Sequence, residues 1–192
     1  MTVQRSRRAP VLTASVFTVA ALTVVVALLV GCGGTPDRPA ETASPWFKPC
    51  QESRGPASQA PATRLPCMAG GPDATIVTGR ATVVTLWASW CAPCRKELPV
   101  FQRLADADKV DVIGVVTQDT RPAATSLARD LNVTFPSLFD AEGAVLHAQG
   151  RTALPLTLLV DAGGAVVHVD ASGSLDDAAL ARLIQENLGL DL

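Results

Sequence analysis

The sequence predicts an α/β domain with a mixed central sheet and helices on both of its faces. Strand and helix patterns alternate along residues 72–192 in the order β-α-β-α, and a short strand, two adjacent strands and a helix follow. The alternation favours parallel strands, whereas the two adjacent strands near the end are typical of an antiparallel hairpin. About 120 residues can build one hydrophobic core but not two, so we expect a single folded domain.

Two strand–helix units occupy the first half of this domain. Both strand segments, 81–87 and 111–117, are apolar and rich in β-branched residues, which predicts strands buried in a sheet. Both helix segments, 94–107 and 122–131, repeat apolar residues at a spacing of three or four, as amphipathic helices do. Pro122 suits the first turn of the second helix, where its missing N–H leaves no partner unsatisfied.

The second half predicts three more strands and a last helix. The strand segments are short apolar runs at 135–140, 156–160 and 165–169. Asp161-Ala162-Gly163-Gly164 separates the last two and predicts a hairpin turn. The last helix is expected to begin at Ser174, because Ser174 and Asp177 have the spacing of a capping box, and to end at Gly189.

The segment Trp90-Cys91-Ala92-Pro93-Cys94 joins the first predicted strand to the first predicted helix. A helix N-terminus carries a partial positive charge and free N–H groups, so it favours a thiolate over a thiol. Two cysteines three apart at this place predict a redox couple. The alternative, half of a zinc site, needs two further ligands from a second C-x-x-C or a histidine pair, and His147 and His168 are the only histidines. We expect no metal and no cofactor.

A basic and then apolar leader precedes the domain. Arginines lie before an uncharged stretch at 9–35, within which 11–30 is almost entirely apolar, so residues 1–31 predict a signal peptide or membrane anchor. Leu29-Val30-Gly31-Cys32 matches a bacterial lipobox, which predicts lipidation of Cys32. The alternative is an uncleaved transmembrane helix that ends at a chance cysteine. Both interpretations place the rest of the chain on the extracytoplasmic face of the cell membrane.

Two segments connect this leader to the domain. Residues 32–44 are rich in Gly, Thr, Pro, Asp and Ala, which predicts a flexible linker. Residues 45–71 form an arm in which Cys50 and Cys67 flank a polar, proline-rich stretch. Cys32 apart, four cysteines remain. Outside the cytoplasm an even number favours pairing, and the C-x-x-C pair leaves Cys50 and Cys67 for each other. We expect a structural disulfide between Cys50 and Cys67 that stabilises the arm. The alternative is a second redox couple that relays electrons to Cys91 and Cys94.

On these residues, the chain resembles the thioredoxin superfamily, and within it the TlpA/ResA-like bacterial extracytoplasmic thiol–disulfide oxidoreductases. The resemblance covers about residues 75–188 and implies a thioredoxin-like fold. The segments that carry it are 86–99, 152–161, and 132–136 followed by Asp140 and Gly143.

Some positions depart from one branch of this superfamily and match another. Thioredoxins have an Asp six residues before the first cysteine, where this chain has Thr85. The TlpA/ResA-like group has a Glu three residues after the second cysteine, and Glu97 matches it. Leu156 stands directly after the proline of the later loop, where the family tends to have Thr, and this difference concerns the polarity of the substrate groove.

The helix-terminus argument and the resemblance together suggest catalytic roles. Cys91 is expected to be the exposed nucleophile of the redox-active disulfide, and Cys94 the buried thiol that resolves the mixed disulfide. Glu97 lies one helical turn after Cys94, where a partly buried carboxylate would accept the Cys94 proton and shift the thiol pKa values. The alternative for Glu97 is an ordinary exposed helix acid.

The resemblance also implies a substrate-binding surface. Pro155 is the expected cis-proline, and its loop would present the Leu154 backbone to an extended substrate peptide by strand addition. Trp90 is expected to shape and shield this surface rather than to take part in the chemistry, and Trp87 is expected to be a packed strand residue.

These features predict a membrane-tethered enzyme that exchanges protein thiols and disulfides. The neutral Ala92-Pro93 pair and the acid Glu97 favour a reductant, of the kind that serves apocytochrome c in cytochrome c maturation, since strong oxidants stabilise their reduced form. The alternatives are an oxidase that forms disulfides in secreted proteins, a peroxiredoxin-like thiol peroxidase, and a non-catalytic lipoprotein.

The expected partners are protein thiols and disulfides, a membrane electron donor or acceptor, and the membrane itself through the lipid anchor. The formal net charge of −2 and the absence of a basic run interleaved with aromatic residues give no support for nucleic-acid binding.

Overall fold

Five strands form one mixed sheet in the computed structural model, which describes residues 43–51, 63–76, 78–173 and 175–192. The strands are β1 (Thr82–Trp87), β2 (Asp111–Thr117), β3 (Ser137–Asp140), β4 (Leu156–Val160) and β5 (Val166–Asp170). Their order across the sheet is β3-β2-β1-β4-β5. β1 runs parallel to β2, and β2 to β3, whereas β4 is antiparallel to both β1 and β5. The predicted mixed sheet with its closing hairpin is confirmed.

Four helices accompany these strands within the described ranges. They are α1 (Ala92–Ala107), α2 (Arg121–Asp130), α3 (Ala144–Ala148) and α4 (Asp177–Leu188). The predicted apolar face of α1 is confirmed, because Leu98, Phe101 and Leu104 are all buried. The first turn of α1 begins two residues earlier than predicted, since Cys91 is its N-cap.

The sequence analysis did not predict α3. This helix has five residues, too few to show a helical period. Gly143 begins it with a φ of 71°, a backbone conformation that glycine adopts without strain. The buried Asp140 carboxylate, at the end of β3, accepts hydrogen bonds from the N–H groups of Ala144 and Val145 at 2.8 and 2.9 Å.

The predicted start of α4 is wrong. The helix begins at Asp177, and its N-cap is Asp176, whose carboxylate accepts a hydrogen bond from the Ala179 N–H at 2.8 Å. Because the Asp176 side chain accepts a hydrogen bond from a free N–H of the first turn, the helix start does not need a capping box at Ser174. Ser174 itself lies outside the described residues. The predicted end at Gly189 is confirmed, with a φ of 67°.

The two faces of the sheet are covered unequally. Val83 and Trp87 of β1 point to the side that carries α1, α2 and α4, whereas Val84 and Leu86 point to the side that carries α3. The β1-α1-β2 and β2-α2-β3 crossovers step across the sheet in the same direction, so right-handed connections place both helices on one face. Residues that precede β1 complete the opposite face, on which Leu65 of the arm and the later residues Ala74 and Ile76 are buried.

The described part of the arm packs against the edge of the sheet at β3. The Met68 N–H donates to the Ser137 carbonyl at 2.8 Å, and the Phe139 N–H donates to the Pro66 carbonyl at 2.8 Å. A strand edge that is covered in this way cannot pair with another chain. The boundary predicted at residue 72 therefore marks a change in composition and not the edge of the core, because arm residues before it contribute to that core.

Buried side chains also anchor the arm. Phe47 is 3% exposed and Met68 is fully buried in the core cluster on the α1 side. The guanidinium of Arg121, at the start of α2, donates to the Cys67 carbonyl at 3.2 Å and lies 4.5 Å from the centroid of the Phe139 ring. Cys50 and Cys67 are joined by a disulfide, with their Cα atoms 5.9 Å apart.

The predicted leader at 1–31 and Cys32 lie outside the described residues, as does nearly all of the linker at 32–44. Within the described ranges, no helix combines the length and the apolar character that a membrane crossing requires.

Candidate active site

The C-x-x-C pair and Pro155 lie at the same end of the sheet. β1 ends at Trp87, and Cys91 follows four residues later. β4 runs in the opposite direction, and its first residue, Leu156, pairs with Leu86 near the end of β1. The residue before β4, Pro155, is therefore brought beside the segment that leads to Cys91.

Cys91 is the N-cap of α1. Its sulfur accepts a hydrogen bond from the Cys94 N–H at 3.3 Å, the bond that a side-chain oxygen makes at most N-caps. Pro93 lies in the first turn, where a missing N–H costs nothing. Cys91 and Cys94 form a disulfide in this structure, with Cα atoms 5.3 Å apart. An N–H aimed at the Cys91 sulfur would stabilise a thiolate there after reduction.

The expected exposure of Cys91 is wrong for this disulfide form. Cys91 is 4% exposed and Cys94 is 1% exposed. The Cys91 sulfur is bonded to Cys94 and turned toward the N–H groups of the first turn of α1, which leaves little of it accessible. Of the two cysteines, Cys91 is still the more accessible.

Glu97 is buried on α1, one helical turn after Cys94. It is 3% exposed, and its Oε1 accepts a hydrogen bond from the Leu175 N–H at 2.9 Å. Its Oε2 is also buried, and no other described residue donates a hydrogen bond to it. An ordinary exposed helix acid is therefore excluded.

The surroundings of Glu97 make its carboxyl group a weaker acid than usual. Burial raises its pKa most strongly, because the charged form loses hydration. The hydrogen bond from Leu175 lowers the pKa in part, and the negative charge of Asp170 raises it further. With an unpartnered Oε2, this carboxyl group can accept a proton from a neighbouring donor.

Gly173 lies between the two prolines of the site. The Leu154–Pro155 peptide bond is cis. A Cβ atom at Gly173 would lie 3.5 Å from the Pro155 Cδ and 3.8 Å from the Pro93 Cβ. Gly173 has a φ of +67°, a left-handed conformation that favours glycine, and a side chain there would be in van der Waals contact with both prolines. The sequence analysis missed Gly173; a glycine soon after a strand is its only sequence signal.

Trp90 is the exposed aromatic residue of the site, with 60% of its surface accessible. Its Nε1 donates to the Gln118 carbonyl at 3.0 Å, which orients the ring. Asp119, which the sequence analysis also missed, holds the same loop by accepting a hydrogen bond from the Ser89 hydroxyl at 3.1 Å. Trp87, in contrast, is fully buried, as expected for a packed strand residue.

Leu154 is half-buried, and its side chain packs against the core. No backbone hydrogen bond joins Leu154 to another described residue. In the part of the chain that the structure describes, no group of three or more His, Cys, Asp or Glu side chains is placed to hold a metal ion.

The chain matches the family model described as Redoxin over residues 56–183. It is 27% identical over 128 residues to sporulation thiol-disulfide oxidoreductase A of Bacillus subtilis, and this match covers 63% of this chain and 78% of that protein. It is 34% identical over 129 residues to the thiol:disulfide interchange protein HelX of Rhodobacter capsulatus, and this match covers 65% of this chain and 73% of that protein.

A solved structure of MTB dsbF in mixed oxidised and reduced forms matches with a TM-score of 0.58 at 27% identity, over 69% of this chain and 98% of that one. Other curated relatives are matched over less of their length, such as 54% of a ResA protein of Bacillus thuringiensis. The resemblance that the sequence analysis identified is confirmed. The chain belongs to the Redoxin family, within the thioredoxin superfamily, and it is a thiol–disulfide oxidoreductase with Cys91 and Cys94 as its C-x-x-C pair.

Proposed function

We propose that this oxidoreductase reduces protein disulfides on the extracytoplasmic face of the cell membrane, where a lipid on Cys32 tethers it. The observation that carries the direction is the burial of Glu97 one turn after Cys94. Strong oxidants in this superfamily stabilise their reduced form. A carboxylate close to Cys94 disfavours a second negative charge there, so it works against such stabilisation.

The reaction begins with the Cys91 thiolate at the N-terminus of α1. It attacks one sulfur of a substrate disulfide, forms a mixed disulfide and releases the other substrate sulfur as a thiolate. The Cys94 thiol then gives its proton to Glu97 and attacks the Cys91 sulfur, which releases the second substrate thiolate. Two electrons pass to the substrate, and Cys91–Cys94 is left as the disulfide seen here. A membrane electron donor must then restore the dithiol.

The substrate is an extended segment of a protein that carries cysteine. Trp90 offers an exposed apolar ring, and Pro93 and Pro155 lie on either side of Gly173, which has no side chain. The Leu154 backbone forms no backbone hydrogen bond with another described residue, so it suits strand addition by a peptide. We propose the haem-binding cysteines of apocytochrome c as the substrate, as the resemblance to the TlpA/ResA-like group implies.

The Cys50–Cys67 disulfide serves structure in this proposal rather than electron relay. Cys67 pairs with Leu138 on β3, and β3, β2 and β1 follow one another across the sheet. Three strand spacings, about 14 Å, therefore separate Cys67 from β1, the strand that leads to Cys91. Thiol–disulfide exchange requires direct contact of sulfur atoms, which this separation prevents in the folded chain.

The reduction potential of the Cys91–Cys94 couple tests the direction. A value near that of thioredoxin, about −270 mV, supports a reductant, and a value near −120 mV identifies an oxidase instead. The variant Cys94→Ser should trap substrates as mixed disulfides on Cys91, and the matched control Cys91→Ser should trap none. Trapping by neither variant would contradict catalysis through this pair.

Mass spectrometry of the N-terminus tests the tether. Chain recovered from the membrane fraction should begin at Cys32 and carry the mass of a lipid. A chain that retains residues 1–31 would contradict lipidation and would support the uncleaved anchor.

A further inference from the structure

Asp170 ends β5 on the side of the sheet that α1 covers. Thr85 of β1 pairs with Thr157 of β4, and Thr157 pairs with Asp170. Residues that pair directly across neighbouring strands point to the same face. Thr85 shares its face with Trp87, two residues on, which packs in the core together with α1. The Asp170 side chain therefore lies in the layer that also contains Glu97.

The loop after β5 links the two carboxylates. Leu175, five residues after Asp170, donates its N–H to the Glu97 Oε1 at 2.9 Å. Asp170 is half-buried, and its Oδ1 accepts hydrogen bonds from the N–H and hydroxyl of Ser172 at 3.1 and 2.8 Å, which fix its position. The charge of Asp170 is thus held close enough to Glu97 to raise the Glu97 pKa beyond the effect of burial.

Other charged groups near Glu97 have different roles. Three elements around Glu97 carry ionisable side chains. α1 and its N-cap carry Cys91, Cys94, Arg95, Lys96, Arg103 and Asp106, β5 carries His168 and Asp170, and α4 and its N-cap carry Asp176, Asp177, Arg182 and Glu186. Asp177 is paired with Arg103 at 2.7 Å on the surface, and Asp176 caps α4. Among the described residues, Asp170 is the carboxylate whose charge acts on Glu97.

We propose that Asp170 is a positioning residue for the resolution step, whose negative charge makes Glu97 a stronger acceptor for the proton of Cys94. The inference rests on the proposed role of Glu97. In this step the Cys94 S–H bond breaks and its proton goes to the Glu97 Oε2. The Cys94 sulfur forms a bond to the Cys91 sulfur, and the partner sulfur leaves as a thiolate. Asp170 contributes no atom to the reaction.

The test is the pH profile of resolution in the full chain. Reduced protein is mixed with an aromatic disulfide, and release of the second aromatic thiolate, which marks attack by Cys94, is followed by stopped-flow absorbance. For Asp170→Asn we expect the limb of the profile that reports Glu97 to move to lower pH. We also expect the plateau rate to fall roughly twofold to fivefold, since a weaker base accepts the proton less readily.

Two control variants isolate the charge. Asp170→Glu keeps the carboxylate and should restore the wild-type profile. Asp161→Asn changes a second aspartate whose Oδ1 also accepts a backbone hydrogen bond, from Ala165 at 2.8 Å, but at the opposite end of the β4–β5 hairpin. Its profile should match the wild type.

The background of Glu97→Gln separates the possible failures. If Asp170→Asn shifts the profile equally in that background, Asp170 acts directly on the thiols and the proposal is wrong. If Asp170→Asn has no effect while Glu97→Gln changes the profile, the proposal for Asp170 fails alone. If Glu97→Gln itself has no effect, the proposed role of Glu97 fails and the inference fails with it.

Discussion

Removal of the Cys50–Cys67 disulfide should destabilise the chain without impairing its chemistry. The bond closes a loop between residues 17 apart in sequence. In the chain-entropy model a loop of this size contributes about 3 kcal/mol to the free energy of unfolding. For a folded unit of this size, that loss lowers the melting temperature by roughly 6–12 °C. The loss of the Cys67 sulfur as acceptor for the Cys50 N–H, at 3.2 Å, acts in the same direction.

The assay compares two paired substitutions. Cys50→Ala/Cys67→Ala should lower the free energy of unfolding in urea and leave the rate of insulin reduction unchanged, because about 14 Å separates this disulfide from β1. Cys91→Ala/Cys94→Ala should abolish insulin reduction and destabilise the chain less, since that bond closes a loop between residues only 3 apart. An unchanged free energy of unfolding for the first pair would refute the structural argument. A large loss of activity in a folded Cys50→Ala/Cys67→Ala variant would show that the pair relays electrons.

Three further substitutions test the electrostatics and packing of the site and of the core around Trp87. Burial raises the Glu97 pKa in the folded chain, so the native state holds the proton more tightly than the unfolded state does. The wild type should therefore lose stability as the pH rises above 4.5, the ordinary value. Glu97→Gln should show a flatter dependence of the free energy of unfolding on pH, and a slope equal to that of the wild type would contradict the raised pKa. Gly114→Ala would place a Cβ 2.5 Å from the Ser137 hydroxyl, and urea unfolding should register a loss of about 1–3 kcal/mol. Gly173→Ala puts a side chain at a φ of +67° and 3.5 Å from Pro155. The KM for a peptide disulfide should therefore rise by a larger factor than kcat falls, and an unchanged KM would show that Gly173 is not part of the substrate groove.

Features that depend on neighbouring residues in sequence were predicted well. The bounds predicted for β2 and β4 agree with Asp111–Thr117 and Leu156–Val160. Apolar, β-branched runs of this length report burial on both sides of a strand, which is a local property. The placement of the cysteines at the start of α1 was equally predictable, because the strand, the C-x-x-C spacing and the helix follow one another directly.

Features that depend on coverage by distant segments were not predictable from the sequence. The pattern of α1 identifies its apolar face, but it does not reveal that the loop after β5 lies over Glu97 and donates the Leu175 N–H to it. Gly173 in the same loop and Asp170 at the end of β5 reach the site although both follow Glu97 by more than 70 residues in sequence. Nor does a helix of five residues such as α3 repeat often enough to show its period.

The sequence by itself determined that a strand delivers a pair of cysteines to a helix N-terminus, because spacing and periodicity are written along the chain. The tertiary structure alone decided that Glu97 is a buried carboxyl group rather than a solvated one, and that the arm around Cys67 completes the sheet at β3. The physical reason is that the pKa of a carboxyl group depends on the dielectric and charges around it. Residues remote in sequence supply that environment once the chain has folded.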